Sequence, residues 1–73
     1  MSETSQMKMS MVTSLAELLI EQDPTMTMET ALNIVFNSDT YQRIQDENTH
    51  FYYQSPRYVF DFLETELKRG KIE

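Results

Sequence analysis

Residues 55–70, SPRYVFDFLETELKRG, constrain the fold most, because this stretch carries its own start and stop signals for a helix. The Ser55 hydroxyl can accept a hydrogen bond from an unpaired amide at a helix start, and proline is favoured at the position that follows. Gly70 is the only glycine in the chain, and glycine readily adopts the left-handed conformation that ends many helices. The stretch therefore predicts an α-helix over residues 56–69.

One face of this predicted helix is apolar and the other is charged. Opposite charges four residues apart predict two ion pairs on the charged face, each worth about 0.3–0.5 kcal/mol. These pairs are Arg57 with Asp61 and Glu64 with Lys68. Apolar residues recur at helical spacing and predict the face that enters the core. They are Val59, Phe62, Leu63 and Leu67.

Helical periodicity also predicts three earlier helices. The first spans about residues 7–22 and ends before Pro24, because proline disfavours helical geometry in the residue before it. The second spans about 28–37 with Thr27 as its cap, and an earlier start at 23–24 stays open. A short third helix over about 39–45, capped by Ser38 or Asp39, places Tyr41 and Ile44 inward.

The remaining segments are predicted to be irregular. Residues 1–6 lack apolar periodicity and are predicted to be disordered, which leaves 7–73 as one helical domain. Residues 49–54, THFYYQ, are of β-forming type, but no other strand is available to pair with them. We therefore expect an ordered connector whose Phe51 and Tyr52 enter the core. The fold class is all-α, a small bundle of three main helices plus one short helix.

Composition excludes several classes of function. The chain has 12 acidic and 6 basic side chains, and its net charge of −6 disfavours binding to phosphate backbones. It has no cysteine, hence no disulfide framework or thiolate metal site. No apolar run approaches the roughly 20 residues that cross a bilayer, and the polar N-terminus lacks the pattern of a secretion signal. We expect a cytoplasmic, bacterial-type protein without a membrane segment.

Few residues are suited to catalysis or to metal binding. His50 is the only histidine, and the calcium-loop pattern that could include it fails, with Phe51 at the glycine position and Arg57 at the glutamate position. Asp61 and Glu64 are three residues apart on a helix, but each has a basic neighbour that would keep it ionised. We therefore expect no catalytic, cofactor-binding or metal-binding residues, and no enzyme.

The six methionines all lie within residues 1–28. Methionine adapts to irregular surfaces, so the first helix is the candidate interaction face, with ordinary core filling as the alternative. Its apolar width exceeds what one core contact needs, which favours a protein partner and a homodimer. The candidate residues are Met7, Met9, Met11, Ala16 and Ile20.

A second class of function is a helix-turn-helix-like transcriptional regulator, because a short turn separates the second and third helices. The third helix would present Gln42, Arg43 and Gln45 to base edges. Acidic residues surround these three side chains, which disfavours nucleic acid as the partner.

Capping and core residues within 31–67 form a recognisable pattern. They are Ala31–Leu32, Asn37–Ser38, Tyr41, Thr49, Phe51–Tyr52, Ser55–Pro56, Tyr58–Val59, Leu63 and Glu66–Leu67. In this pattern the chain resembles a family of short uncharacterised helical proteins of anaerobic gut bacteria. The resemblance implies glycine where this chain has His50, a position that would need positive φ. It implies no enzymatic residues, and it suggests an antitoxin or accessory role. We therefore expect a non-enzymatic protein-interaction module, with a small regulatory or antitoxin-like subunit as its more specific form.

Overall fold

The computed structural model describes residues 2–70, and within this range the chain forms four α-helices and no β-strand. The helices are α1 (Glu3–Gln22), α2 (Met28–Phe36), α3 (Asp39–Gln45) and α4 (Pro56–Arg69). Two short 3₁₀ turns, Glu47–Thr49 and Phe51–Tyr53, form the connector between α3 and α4. The predicted all-α class and the arrangement of three longer helices with one short helix are confirmed. Residues 71–73, which the predicted domain includes, lie outside the described range.

A hydroxyl side chain caps the start of every described α-helix. Its oxygen accepts a hydrogen bond from the amide three residues further on, at 3.0–3.2 Å. The capping residues are Ser2, Thr27, Ser38 and Ser55. The caps predicted at Thr27 and Ser55 are confirmed, and Ser38 rather than Asp39 caps α3. The open alternative for α2 is excluded, because α2 begins at Met28.

The first helix begins earlier than its apolar periodicity predicted. Its expected start was Met7, but α1 begins at Glu3, directly after the Ser2 cap. Residues 3–6, which were expected to be disordered, are therefore helical in the structure. Met1 lies outside the described residues. The predicted end at Gln22 is confirmed.

The core fills the space between α1 and the other elements, and α1 packs most extensively on α2. All four helices and the connector contribute apolar side chains to it. Its members are Met11, Val12, Leu15, Ala16, Leu19, Ala31, Val35, Ile44, Phe51, Val59, Phe60 and Leu63. Because each helix buries one stripe against the same centre, none of them is expected to be stable alone.

The buried face of α4 differs from the predicted face at its C-terminal end. Leu67 was expected in the core but is 50% exposed, while Phe60 and Glu66 are buried. Phe62 is only partly buried. The buried face of α4 includes Glu66 instead of Leu67, because the Glu66 carboxylate points towards the start of α3.

Glu66 binds the N-terminus of α3 with both carboxylate oxygens. Its Oε2 accepts a hydrogen bond from the Asp39 amide at 2.6 Å. Its Oε1 accepts bonds from the Thr40 amide at 2.9 Å and from the Thr40 hydroxyl at 2.8 Å. Thr40 is fully buried, so this pair satisfies polar groups that would otherwise lack partners. We call this arrangement the Glu66 clamp.

Neither ion pair predicted along α4 is present among residues 2–70. Arg57 instead binds Glu21 of α1, with 3.2 Å between Nη2 and Oε1. Glu64 accepts a hydrogen bond at 2.7 Å from the Gln22 side-chain amide. The last turn of α1 lies within reach of both side chains, and exposed ion pairs differ too little in free energy to enforce the pairing within one helix.

The connector places its aromatic side chains largely as expected. Phe51 is buried, Tyr52 is partly buried, and the Phe51 ring centroid lies 4.9 Å from that of Phe62. The backbone turns at His50, which has φ 58° and is the only described residue other than glycine with positive φ. The positive φ suggested for this position by the resemblance is therefore observed.

We expect Glu66→Gln to lower the free energy of unfolding by about 1–3 kcal/mol, because it removes the charge from hydrogen bonds to two amides and a hydroxyl. Thr40→Val should cost about 1 kcal/mol, since it removes the hydroxyl donor and keeps the volume. Urea unfolding of both single variants and the double variant measures their coupling. A double variant whose loss equals the sum of the single losses would contradict a direct clamp.

We expect His50→Gly to raise the free energy of unfolding by about 0.5–1 kcal/mol, because an L-residue in the left-handed region costs about 1–2 kcal/mol and glycine does not. Gly70→Ala is the matched control, since Gly70 has φ 83° and open space around it. It should lower stability by a similar amount. Thermal unfolding followed by circular dichroism measures both, and a less stable His50→Gly variant would contradict the expectation.

Candidate interaction groove

An open groove runs along one side of α1. The connector and the start of α4 form the wall that faces α1 across it. The groove consists of two adjoining hollows with volumes of ≈ 420 and ≈ 400 Å³, and both include Ser14 and Pro56 in their walls. A third hollow of ≈ 290 Å³ adjoins the first through Met7 and Tyr52. We call the whole the α1 groove. Its main lining residues are Met7, Ser10, Ser14 and Leu18 of α1 with Tyr52 and Pro56 opposite.

The helical repeat explains why these α1 residues share one side. Met7, Ser10, Ser14 and Leu18 are three or four residues apart, which places them in a row along the helix. The buried row that includes Leu15 lies next to it. Ser10 and Ser14 have small side chains, so the middle of this row projects little from α1 and leaves space between α1 and the facing wall. The hollow therefore follows directly from the residue sizes on α1.

The opposite wall is held by contacts from α1 itself. The Lys8 ammonium lies 5.8 Å from the centroid of the Tyr52 ring and 3.1 Å from the Gln45 carbonyl oxygen, to which it donates a hydrogen bond. It also lies 3.4 Å from the Glu47 carboxylate. The Lys8 side chain is only 14% exposed. Through the first of these contacts, α1 reaches the aromatic wall of its own groove.

The rim of the groove is acidic. Glu3 stands at one end and Glu17 and Glu21 at the other, while the basic side chains in the three hollows are Arg57 and His50. Arg57 and Glu21 pair across the groove at 3.2 Å, with both side chains about two-thirds exposed. An exposed pair of this kind contributes little stability, so it can exchange partners readily.

The structure separates the five residues predicted as an interaction face. Met7 lines the groove, and Met11 borders it while being only 4% exposed. Ala16 is fully buried, and Ile20 packs against the core while partly buried. Met9 is 57% exposed and lines a different hollow with Lys8. The five therefore do not form one surface, because much of the extra apolar width of α1 is used by packing within the chain.

The residues weighed for chemistry are spread over the surface. His50 is exposed beside Tyr52 and Tyr53, Asp61 is exposed on α4, and Glu64 accepts a hydrogen bond from Gln22. No group of three or more metal-binding side chains occurs within residues 2–70. In the same range, no buried side-chain nitrogen or oxygen lacks a hydrogen-bond partner.

The geometry of α2 and α3 bears on the helix-turn-helix alternative. The N-terminus of a recognition helix normally reaches base edges. Here the Glu66 carboxylate covers the first amides of α3, and Thr40 and Ile44 are buried. The exposed side of α3 carries Gln42, Arg43 and Gln45. A carboxylate at that end opposes the approach of phosphates.

Sequence reasoning missed Ser10, Ser14 and the wall formed by Tyr52 and Pro56. The two serines gave a usable signal, because they interrupt the apolar row between Met7 and Leu18 with small side chains. The opposite wall gave none, because its position depends on how the connector returns to α1.

We expect Lys8→Met to lower the free energy of unfolding by about 1 kcal/mol, because it keeps the apolar stem and removes the contacts with Tyr52 and the Gln45 carbonyl. Lys68→Met is the matched control, since Lys68 is exposed in the last turn of α4. Its effect should be within about 0.5 kcal/mol of zero. Urea unfolding measures the stability, and the NMR shifts of the Tyr52 ring report its position. Unchanged Tyr52 shifts in Lys8→Met would contradict a role for Lys8 in the wall.

The chain matches no family model, no curated protein and no solved structure. The resemblance over residues 31–67 therefore stays a prediction. Among the described residues, no helix combines the length and the apolar character that a membrane crossing requires.

Proposed function

We propose that this chain is a non-enzymatic protein-interaction module that binds a segment of a partner protein in the α1 groove. The observation that carries the proposal is the open hollow beside the core, with small residues along its floor and an aromatic wall at Tyr52 that Lys8 contacts. Grooves between helices and loops with an apolar lining are common sites for peptide segments. Tyr52 and the more exposed Tyr53 supply the aromatic side chains that often dominate such interfaces.

Such a module acts by mass action. It would cover a surface of the partner and stabilise the bound state in proportion to the logarithm of its concentration. A small regulatory subunit works in this way, and so does an antitoxin-like subunit of the kind that the resemblance suggests. Neither role needs a catalytic group in the groove.

Self-association is a separate part of the proposal. We infer it from the apolar width of α1, and Met9 is a large apolar side chain of α1 that is exposed outside the groove. A concentration series in analytical ultracentrifugation tests it. A chain that stays monomeric to about millimolar concentration has no useful self-affinity.

The docking test uses a defined probe, a neutral amphipathic helical peptide with leucine on one face and glutamine on the other. We expect saturable changes in the NMR spectrum at Ser10, Ser14 and Leu18, because an apolar segment would contact this row. Ser14→Tyr should fill the hollow and weaken binding at least about tenfold. Thr13→Tyr is the matched control, since Thr13 is exposed on α1 outside the groove lining, and it should bind within about twofold of the unchanged chain.

Two outcomes would contradict the proposal. One is the absence of saturable change in the groove up to about millimolar peptide. The other is equal loss of affinity in Ser14→Tyr and Thr13→Tyr. Circular dichroism of both variants identifies a loss that comes from unfolding, and in that case Ser10→Leu replaces Ser14→Tyr as the variant that fills the groove.

A further inference from the structure

We infer that the partner segment bound in the α1 groove is a basic amphipathic helix, with apolar side chains on one face and lysine or arginine along its edges. This inference rests on the proposed docking function and specifies the chemistry of its partner. It is carried by three features of the groove: the sign of the charge on its rim, its length, and the size of the side chains on its floor.

The charge on the rim selects a basic partner. Three glutamates, Glu3, Glu17 and Glu21, line the hollows, and the basic side chains among the lining residues are Arg57 and His50. The whole chain carries a net charge of −6, so the surroundings of the groove add to the same field. A nucleic acid or an acidic segment would be repelled. A second copy of this chain is acidic as well, which disfavours it as the occupant.

The length of the groove suits a helix. Its α1 side runs from Glu3 to Glu21, which is about 27 Å at the helical rise of 1.5 Å per residue. A partner helix of about 18 residues lying alongside α1 would match this length. The small side chains of Ser10 and Ser14 allow the axis of such a helix to come close to α1. Helices pack at axial distances of about 8–10 Å, depending on the side chains at the contact.

The Glu21–Arg57 ion pair spans the groove, and in this proposal it breaks when the partner binds. Both side chains are mostly exposed, and 3.2 Å separates Nη2 of Arg57 from Oε1 of Glu21. A basic side chain of the partner can take the place of Arg57 beside Glu21, with Glu17 one turn earlier on α1 as a second acceptor. Arg57 is then available to an acidic residue or a backbone carbonyl of the partner. The ion pair closes that end of the groove only in the unbound state.

The test compares three peptides of the same length with the same leucine face, whose polar faces carry lysine, glutamine or glutamate. Isothermal titration calorimetry at low ionic strength should find the lysine peptide bound about five- to tenfold tighter than the glutamine peptide, from two or three exposed charge pairs. The glutamate peptide should bind weakest. Added sodium chloride should reduce these differences, because exposed charges are screened.

The chain offers a matched pair of variants for the charge. Glu17→Gln combined with Glu21→Gln should remove the preference for the lysine peptide over the glutamine peptide, measured as the ratio of the two affinities. Glu29→Gln combined with Asp61→Asn removes the same charge from exposed sites outside the groove lining. This control variant should keep most of the preference for the lysine peptide over the glutamine peptide.

Failure of this inference can be distinguished from failure of the docking proposal. Equal binding of the three peptides in the groove would overturn the basic partner and leave docking intact. Equal loss of preference in the rim and control variants would also overturn it, because the net charge alone would then be responsible. A dimer in ultracentrifugation that Ser14→Tyr disrupts would identify a second copy as the occupant and overturn the inference. Absence of binding by every peptide would overturn both proposals.

Discussion

The placement of α3 depends on the carboxylate of Glu66. The α3 helix has only seven residues, which is too short to be stable in water without tertiary contacts. Glu66 supplies such a contact at the helix end where unpaired amides and the helix dipole favour a negative charge. At the other end of α3, the Gln45 carbonyl accepts a hydrogen bond from Lys8, whose ammonium also lies against Tyr52. The clamp at the start of α3 is thus linked through this helix to the wall of the α1 groove.

The sequence predicted the elements of this fold well because their ends are encoded locally. The helix over residues 56–69 has a serine cap, a proline at its first position and a glycine after its end, so its bounds needed no tertiary information. The start of α1 was missed because Ser2 lies among polar residues, and apolar periodicity carries no information about a cap outside the apolar pattern. Helix ends could be predicted wherever a capping residue adjoined an apolar stripe.

The orientation of the helices was harder to predict than their bounds, because it depends on residues far apart in sequence. Leu67 satisfied the apolar pattern and Glu66 did not, yet Glu66 is the buried one since its partners are on α3. The i,i+4 rule likewise favoured Asp61 as the partner of Arg57, whereas the structure provides Glu21 of α1. The same limit applies to the candidate site. Met7, predicted as part of an interaction face, lines the groove, but the Tyr52 wall requires the fold of the connector.

The open α1 groove also lowers the stability of this small domain. A chain of 73 residues buries a smaller share of its surface than a larger domain does, so an unfilled hollow beside its core matters more to its stability. Larger apolar side chains at Ser10 and Ser14 would close the gap against Tyr52 and Pro56. The hollow instead keeps small residues, a wall that Lys8 contacts, and an exposed ion pair. The small residues and the exposed pair do little for the stability of the folded chain alone. Together with the Lys8 contact, they would lower the free-energy cost of accepting the proposed partner segment, because the site would need little rearrangement to bind it.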